Sequence, residues 1–305
     1  STISVNDSKS LGGGLFDSEY FNGNNPSTFT YEDRDYDRLR KRVFLNLGME
    51  YYFNDETSLT ITGFTRNSDN LSNNSTIIQD LSENKEILNE FGRFQDEEEE
   101  DISSQLTLNF TKKFNKKGHE LVIEYQTEKS TEDESDYASN TNTFNQSSMT
   151  DETQQRKLLQ LDYVYPIDKN TQFELGYRGN FSDLNTDYNV LDIRNNVTTI
   201  NLNLSNIFVF SQDVNAYYTQ FGKKINKFSY LLGLRAETTN LQFNQKTSQE
   251  SNQKKYTNLF PTVNLSYEFS NYENITLGYS RRIRRPRSWS LNPFQSITSL
   301  TFFRQ

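Results

Sequence analysis

The feature that most constrains the fold is an alternation of apolar and polar residues at period two, clearest in residues 261–269. The odd-numbered positions of this run are apolar or aromatic, and the even-numbered positions are polar. Residues 275–279 repeat the alternation. Because successive side chains of a β-strand point to opposite faces, each run is typical of a strand with one apolar and one polar side. The short stretch at 270–272 predicts a tight turn that joins the two runs into an antiparallel hairpin.

Four earlier parts of the sequence show the same pattern, so the sequence predicts about ten strands. The five predicted hairpins lie near residues 43–65, 104–127, 157–181, 213–237 and 259–284. The polar stretches before and between them are interpreted as long loops, at 1–39, 67–101, 127–156, 182–212 and 240–255. In an antiparallel meander this places all short turns at one end and all long loops at the other. That asymmetry is typical of outer-membrane barrels, which have short periplasmic turns and long extracellular loops.

Composition supports the same interpretation. Only 33% of the residues are hydrophobic, yet 14% are aromatic, and disordered chains are poor in aromatic residues. A barrel with a polar lumen reconciles the two values, because only the outward half of each strand must be apolar. The apolar face becomes aromatic near the turn, at Tyr267 and Phe269, which is typical of a membrane girdle. The predicted fold class is therefore an all-β, antiparallel transmembrane β-barrel.

Several classes of function find no support in the residues. The net charge of -9 argues against a nucleic-acid-binding protein, and the absence of cysteine excludes disulfides and cysteine-based metal sites. The single histidine, His119, follows a turn-like stretch and is interpreted as a surface or girdle residue. The acidic run at 96–101 is interpreted as part of a solvated loop, because the ligand spacing of an EF-hand is missing. We identify no catalytic constellation, so we expect no enzyme activity, no metal and no cofactor.

Three motifs stand in order in the last quarter of the sequence. They are Gly-Leu-Arg-Ala-Glu at 233–237, the block at 256–267, and the stretch at 277–294 that contains an arginine cluster and ends in Leu-Asn-Pro-Phe. Together they resemble the barrel of TonB-dependent outer-membrane receptors of the Bacteroidetes type. The positions that carry the resemblance are Gly233, Arg235, Glu237, Phe260, Pro261, Tyr279, Arg281, Arg282, Pro286, Leu291, Asn292, Pro293 and Phe294.

The resemblance implies a barrel of 22 strands in the bacterial outer membrane, closed by a plug on which TonB pulls to admit a nutrient. Its implied partners are outer-membrane lipid and lipopolysaccharide, the TonB complex through that plug, and a surface lipoprotein. We recognise no plug, TonB-contacting segment or signal peptide within residues 1–305, so we expect this chain to be an incomplete barrel domain.

The arginine cluster after Tyr279 has a predicted orientation. If the strand continued, Arg282 and Arg284 would point to the lumen, and Arg281 and Arg285 would point outward. Pairing with carboxylates across a polar lumen is the favoured role for the inward side chains.

Two alternatives to an uptake receptor remain open at this point. The first is an outer-membrane barrel without active transport, with a structural, secretion-linked or surface-assembly role. The second is a secreted β-rich adhesin, whose apolar faces would pack against each other. The composition of the predicted loops specifies no sugar, peptide or metal chelate, so no substrate-binding residues are assigned.

Overall fold

The computed structural model describes residues 1–22, 25–141, 145–195, 197–270, 272–291, 296–297 and 303–304. Nearly all of these residues belong to one antiparallel sheet of 12 strands. The strands of the structure are β1 (Thr2–Asn22), β2 (Asn25–Asn54), β3 (Thr57–Leu81), β4 (Ile87–Lys113), β5 (Glu120–Asn140), β6 (Asn145–Asp168), β7 (Thr171–Arg194), β8 (Val197–Ile200), β9 (Asn206–Ile225), β10 (Phe228–Gln245), β11 (Glu250–Glu268), β12 (Asn274–Ser280), β13 (Ser296–Ile297) and β14 (Phe303–Arg304).

The sheet is a meander in which consecutive strands pair with each other from β1 to β12. The exception is the short strand β8, which pairs only with β7. Strand β8 pairs with residues 191–194 of β7, and β9 pairs with residues 171–188 of β7. Strands β13 and β14 pair with each other, and a four-residue helix, α1 (Ser288–Leu291), follows β12. No helix in the described part of the chain is long and apolar enough to cross a membrane. The predicted all-β antiparallel fold is confirmed, with 12 strands in the main sheet instead of about ten.

Short connections of two to six residues join the strands inside each of the five predicted hairpin regions. The turns between β2 and β3, between β6 and β7, and between β9 and β10 contain two residues each. In the last of these, Asn226 has a φ of 54°. Asparagine tolerates this left-handed conformation, which two-residue hairpin turns require.

The polar stretches that the sequence suggested were loops are mostly strand, which corrects that interpretation. Residues 67–81 continue β3 and residues 87–101 belong to β4, so only the turn at 82–86 interrupts them. Likewise, most of 127–156 extends β5 and β6. These extensions are mostly polar on both faces and show no sustained alternation of hydrophobicity, although their backbones hydrogen-bond to neighbouring strands. With 18 to 30 residues, the strands β1–β7 and β9–β11 exceed the roughly 9–11 residues that span a bilayer.

The register of the strands joins their apolar faces into one continuous surface. Directly paired residues lie on the same face of a sheet, and Phe110 pairs with Ile123, Ile123 with Leu161, and Leu161 with Tyr177. We call this surface the apolar belt. Its members include Val43, Leu45, Leu47, Met49, Tyr51, Leu59, Ile61, Leu106, Leu108, Phe110, Leu121, Ile123, Tyr125, Leu159, Leu161, Tyr163, Tyr165, Phe173, Leu175, Tyr177, Tyr217, Phe221, Tyr230, Leu232, Leu234, Pro261, Val263, Leu265, Tyr267, Ile275, Leu277 and Tyr279.

Aromatic side chains border the belt at its turn end. Tyr165 pairs with Phe173, and Phe228 pairs with Tyr267, next to the turns of their hairpins. His119 lies in the same border, where its ring stacks on Phe114 with centroids 4.1 Å apart. Rings with one polar edge suit the boundary between lipid and water. The belt and its border therefore have the layout of a lipid-facing surface.

The lipid-facing assignment predicts opposite effects for two neighbouring substitutions in β6. We expect Leu161→Arg to lower the free energy of unfolding by about 2–4 kcal/mol, because it places a charge at the middle of the belt. Gln160→Arg points to the opposite face and should change it by less than about 1 kcal/mol. Urea titration of the full-length protein refolded in lipid vesicles measures both. Equal losses for the two variants would contradict the assignment.

Candidate functional site on the polar face

The face opposite the apolar belt, which we call the polar face, carries a linked group of charged side chains at its centre. The Tyr218 hydroxyl donates a hydrogen bond to the Asp162 carboxylate, and the Arg235 guanidinium lies 5.4 Å from the centroid of the Tyr218 ring. Gly176, which pairs with Tyr218, leaves room for that ring, because a Cβ there would overlap it. Glycine at this position lets the tyrosine lie flat against the sheet.

A buried glutamate forms the centre of this group. The Glu237 carboxylate accepts a hydrogen bond from Arg235 on its own strand and another from Arg285, beyond the end of β12. The Arg285 Nε also donates to the Thr239 hydroxyl at 3.1 Å. Both arginines form ion pairs with Glu237, so its buried charge is compensated on both oxygens. We call Arg235, Glu237, Thr239 and Arg285 the Glu237 cluster.

The position of Arg285 corrects the predicted orientation of the arginine cluster. Strand β12 ends at Ser280, and residues 281–291, which we call the return segment, cross to the polar face of β10. Arg281 stays near β11, where its backbone amide donates to the Pro261 carbonyl at 3.3 Å. The prediction of an outward Arg285 was wrong because it extended the period-two pattern through a segment that is not a strand. Pro286, which cannot donate a ladder hydrogen bond, is consistent with this ending.

The far end of the return segment packs on an apolar cluster of the polar face. The side chains of Leu184, Phe208, Phe210 and Leu241 are buried together, and Phe243 and Leu291 pack against them. The sequence interpretation missed this cluster because Phe208 and Phe210 fall in a stretch interpreted as a loop. The run of four apolar residues at 207–210 was the available signal.

The described positions that carry the family resemblance separate into three groups. Gly233, Arg235, Glu237 and Phe260 lie on the polar face, whereas Pro261 and Tyr279 lie in the apolar belt. Arg281, Arg282, Pro286 and Leu291 belong to the return segment, in which Arg281, Arg282 and Pro286 are exposed. Asn292, Pro293 and Phe294 lie outside the described residues. The structure thus brings Arg235, Glu237 and the return segment together, through Arg285, a residue of the arginine cluster.

Beyond the belt, the polar face carries seven carboxylates on three neighbouring strands. The register aligns Asp101 with Glu132 and Glu132 with Glu152, and it aligns Glu99 with Glu134. We call the following residues the carboxylate block: Glu97, Glu99, Asp101, Glu132, Glu134, Asp136 and Glu152. The acidic run at 96–101 is therefore part of β4 and not of a loop, which corrects the earlier interpretation.

Only some of these charges are compensated. Arg66 forms an ion pair with Asp101 at 2.8 Å, and the amide of Asn70 donates to Glu99 at 3.0 Å. Burial, with added repulsion from Glu152 and Glu99, raises the pKa of Glu132 to about 7. Burial also raises the pKa of Glu134. Among the described residues, no three His, Cys, Asp or Glu side chains have the arrangement of a metal site.

The raised pKa of Glu132 predicts that acidification stabilises this part of the sheet. The folded state holds this proton more tightly than an ordinary glutamate does, so its stabilising effect is present below about pH 4.5 and is lost as the pH rises through about 7. We expect a higher Tm at pH 6 than at pH 8, and we expect Glu132→Gln to raise the Tm at pH 8 and weaken its pH dependence. Glu273→Gln, at an exposed turn, is the control. A pH dependence unchanged by Glu132→Gln would contradict this assignment.

The Glu237 cluster predicts that Arg285 holds the return segment in place. We expect Arg285→Ala to increase hydrogen exchange of residues 281–291 at least about tenfold, since loss of a buried charge partner costs several kcal/mol. Arg282→Ala, which removes an exposed arginine of the same segment, should leave the exchange unchanged. Hydrogen exchange with mass spectrometry on the full-length protein separates the two variants. Equal exchange in both would contradict the anchoring role.

Comparison with known proteins places this architecture among outer-membrane proteins. Residues 112–305 match the model of the outer membrane protein beta-barrel family. No curated protein sequence matches the chain. Similar solved structures include the ferric citrate transporter FecA in its unliganded form, with a TM-score of 0.46, 9% identity, and coverage of 90% of this chain and 43% of that chain.

Two further structures show the range of these similarities. The siderophore receptor PiuA from Acinetobacter baumannii has a TM-score of 0.46 and 8% identity, with coverage of 91% of this chain and 49% of that chain. The translocator domain of the autotransporter NalP from Neisseria meningitidis has a TM-score of 0.29 and 9% identity, with coverage of 91% and 80%. The chain spans less than half the length of FecA and of PiuA.

The family match covers well over half of the chain and includes β5 to β12, the Glu237 cluster and the return segment. An antiparallel sheet with one apolar and one polar face is the structure that such a barrel requires. The chain belongs to the outer membrane protein beta-barrel family, and its location is the bacterial outer membrane.

Proposed function

We propose that this chain is the barrel portion of a TonB-dependent receptor of the Bacteroidetes type, which takes up a nutrient across the outer membrane. The observation that supports the proposal is the convergence of the resembling motifs at one place in the fold. The Gly-Leu-Arg-Ala-Glu motif supplies Arg235 and Glu237, and the arginine motif supplies Arg285, which pairs with that glutamate. The two motifs are more than 40 residues apart, yet they form one buried cluster on the polar face.

In this proposal the two faces of the sheet have separate tasks. The apolar belt faces lipid and, at its outer border, lipopolysaccharide, while the polar face lines the lumen. Strands β1 and β12 are the edges of the described sheet, and further strands of the whole protein would pair with them to close a barrel of 22 strands. The return segment would narrow the lumen beside β10, where a plug and a passing ligand would meet it.

The proposed partners follow from the same role. A plug elsewhere in the whole protein would contact the TonB complex, which supplies the energy of transport, and a surface lipoprotein would act at the polar strand extensions. The chain would bind and pass a substrate without chemical change, so the proposal is a transporter and not an enzyme. No nucleic acid is a proposed partner.

Of the two alternatives, one is overturned and one is the rival to be tested. Membership of an outer-membrane barrel family overturns the secreted adhesin. An outer-membrane barrel without active transport would share the belt and the sheet, but it would not engage TonB.

Binding to TonB separates the proposal from this rival. The full-length protein, solubilised in detergent, is passed over the immobilised periplasmic domain of TonB from the same bacterium. We expect retention of the intact protein, and we expect soluble TonB domain to release it by competition. A folded, heat-modifiable protein that is not retained would contradict the proposal and favour the barrel without active transport.

A further inference from the structure

The polar face of β2 carries four arginines at alternate positions of one strand. Arg34, Arg38, Arg40 and Arg42 share the face of Tyr36, because residues two apart on a strand point the same way. We call Arg38, Arg40 and Arg42 the arginine ladder. The Cα atoms of consecutive ladder residues are about 6.6–6.8 Å apart along the strand. The ladder begins where the apolar belt ends, so it lies at the outer part of the polar face.

The charges of the ladder have no carboxylate partner among the described residues. Arg34 forms an ion pair with Glu32, but none of the three ladder arginines does so with any described side chain. Arg38 lies 4.5 Å from the centroid of the Tyr36 ring, and Arg40 donates to the Asn70 amide oxygen at 2.8 Å. The Nε of Arg42 is buried without a hydrogen-bond partner. The Arg38 and Arg40 guanidinium groups are held in place by neutral neighbours and keep their remaining donors available for an anion, whereas the buried Nε of Arg42 cannot reach one.

A cavity of about 420 Å³ adjoins the outer end of the ladder. Its wall includes Arg34, Tyr36 and Arg38 from β2, Asn74 from β3, and Arg93 from β4. Gly12 on β1 leaves room for the Tyr36 ring, since a Cβ there would overlap the ring. The cavity thus combines three arginines, an aromatic ring and the amides of Asn74 and Gln95. Its wall also carries two carboxylates, Glu32, which pairs with Arg34, and Asp35, so the arginines exceed the carboxylates by one.

The side chains around the arginine ladder favour an anion that stays on β2. Two strands away lies the carboxylate block, which repels anions, and between the two lies the neutral strip of Ser68, Asn70 and Ser72 on β3. Asn70 accepts from Arg40 and donates to Glu99, so it connects the ladder to the block. The electrostatic attraction of an anionic ligand is therefore strongest when the ligand lies along β2 and not across the sheet.

We infer that the arginine ladder and its adjoining cavity bind a linear ligand with repeated carboxylate groups, which lies along the polar face of β2. The inference rests on the proposed function, because it names the chemical class that the receptor would take up. A planar carboxylate matches the two parallel N–H donors of a guanidinium. Repeated carboxylates occur in acidic oligosaccharides and in acidic peptides, and the experiment distinguishes these two sources.

A second role for the ladder competes with this one. The arginines could act only as counter-charges for the carboxylate block through Asn70. In that case their removal would lower stability and leave ligand binding unchanged, so binding and stability must be measured on the same variants.

The experiment is titration calorimetry on the full-length protein in detergent. The probes are hexagalacturonate and hexaglutamate, with maltohexaose and hexaglutamine as neutral controls of the same number of units. The test variant is Arg38→Gln/Arg40→Gln/Arg42→Gln. The control variant is Lys246→Gln/Lys254→Gln/Lys255→Gln, which makes the same change in charge at exposed positions of the distant β10–β11 hairpin. The Tm of each variant shows whether it is folded.

We expect one acidic probe to bind the natural protein and the lysine variant, and to bind the arginine variant at least about tenfold more weakly, which is about 1.4 kcal/mol. The probe that binds identifies the source as sugar or peptide. Replacement of the three arginines by lysine should restore part of the affinity and keeps the test valid if the glutamine variant does not fold.

Four results would overturn the inference: no binding of either acidic probe, equal binding of its neutral control, an unchanged affinity in the arginine variant, or an equal loss in the lysine variant. The titration contains no TonB, so its outcome is independent of the TonB retention experiment. Binding without TonB retention would refute the transport proposal alone, and retention without binding would refute only the ligand class.

Discussion

Backbone hydrogen bonding between neighbouring strands is the constraint on which the rest of this structure depends. In a bilayer each N–H and C=O must find a partner within the protein, and strands achieve this only by pairing with other strands. The pairing fixes the register, and the register fixes which side chains share a face. Leu161 contributes to the belt because it pairs with Ile123 on one side and Tyr177 on the other. A slip of one residue would move it to the polar face and place Gln160 in lipid.

The same backbone hydrogen bonding between strands continues where the apolar residues stop. The sheet therefore has a second, polar region beyond the apolar belt. The extensions of β2 to β7 present charged and amide side chains on a scaffold as regular as the membrane part. Regular spacing lets side chains of one sign accumulate, as in the arginine ladder and in the carboxylate block. Burial, together with repulsion from neighbouring carboxylates, raises the pKa of Glu132, and this shift is the energetic cost of that arrangement. A strand holds such groups at fixed distances, which a flexible loop does not do.

The sequence predicted strands best where one face meets lipid, because apolar and polar residues then alternate. It predicted them least well where both faces meet water. Alternation in residues 261–269 correctly predicted the belt side of β11, because the two faces meet different solvents. Residues 67–101 carry no such contrast, so their strands were interpreted as a loop. Arg34, Arg38, Arg40 and Arg42 alternate visibly in the sequence, but the pattern has meaning only once β2 is known to extend through them.

The Glu237 cluster shows a different limit of sequence-based prediction. Its members Arg235 and Glu237 were identified through a motif, and their alternation with Leu234 and Ala236 matches their position on the polar face. The partner Arg285 was placed on the wrong side, because the direction of a chain after its strand ends depends on tertiary contacts. Attraction to buried Glu237 and packing of Leu291 on an apolar cluster decide that direction. Neither contact is visible in local sequence.

The central claim, that one register turns the apolar belt to lipid and leaves the strand extensions in water, can be tested by spin-label scanning along β6. The 305 residues contain no cysteine, so single cysteines can be introduced one at a time from residue 145 to residue 165 of the full-length protein. We expect oxygen accessibility that alternates with period two across 159–165, with maxima at odd positions, and accessibility to a water-soluble nickel reagent throughout 145–156. A scan without alternation at 159–165, or with maxima at even positions, would contradict it.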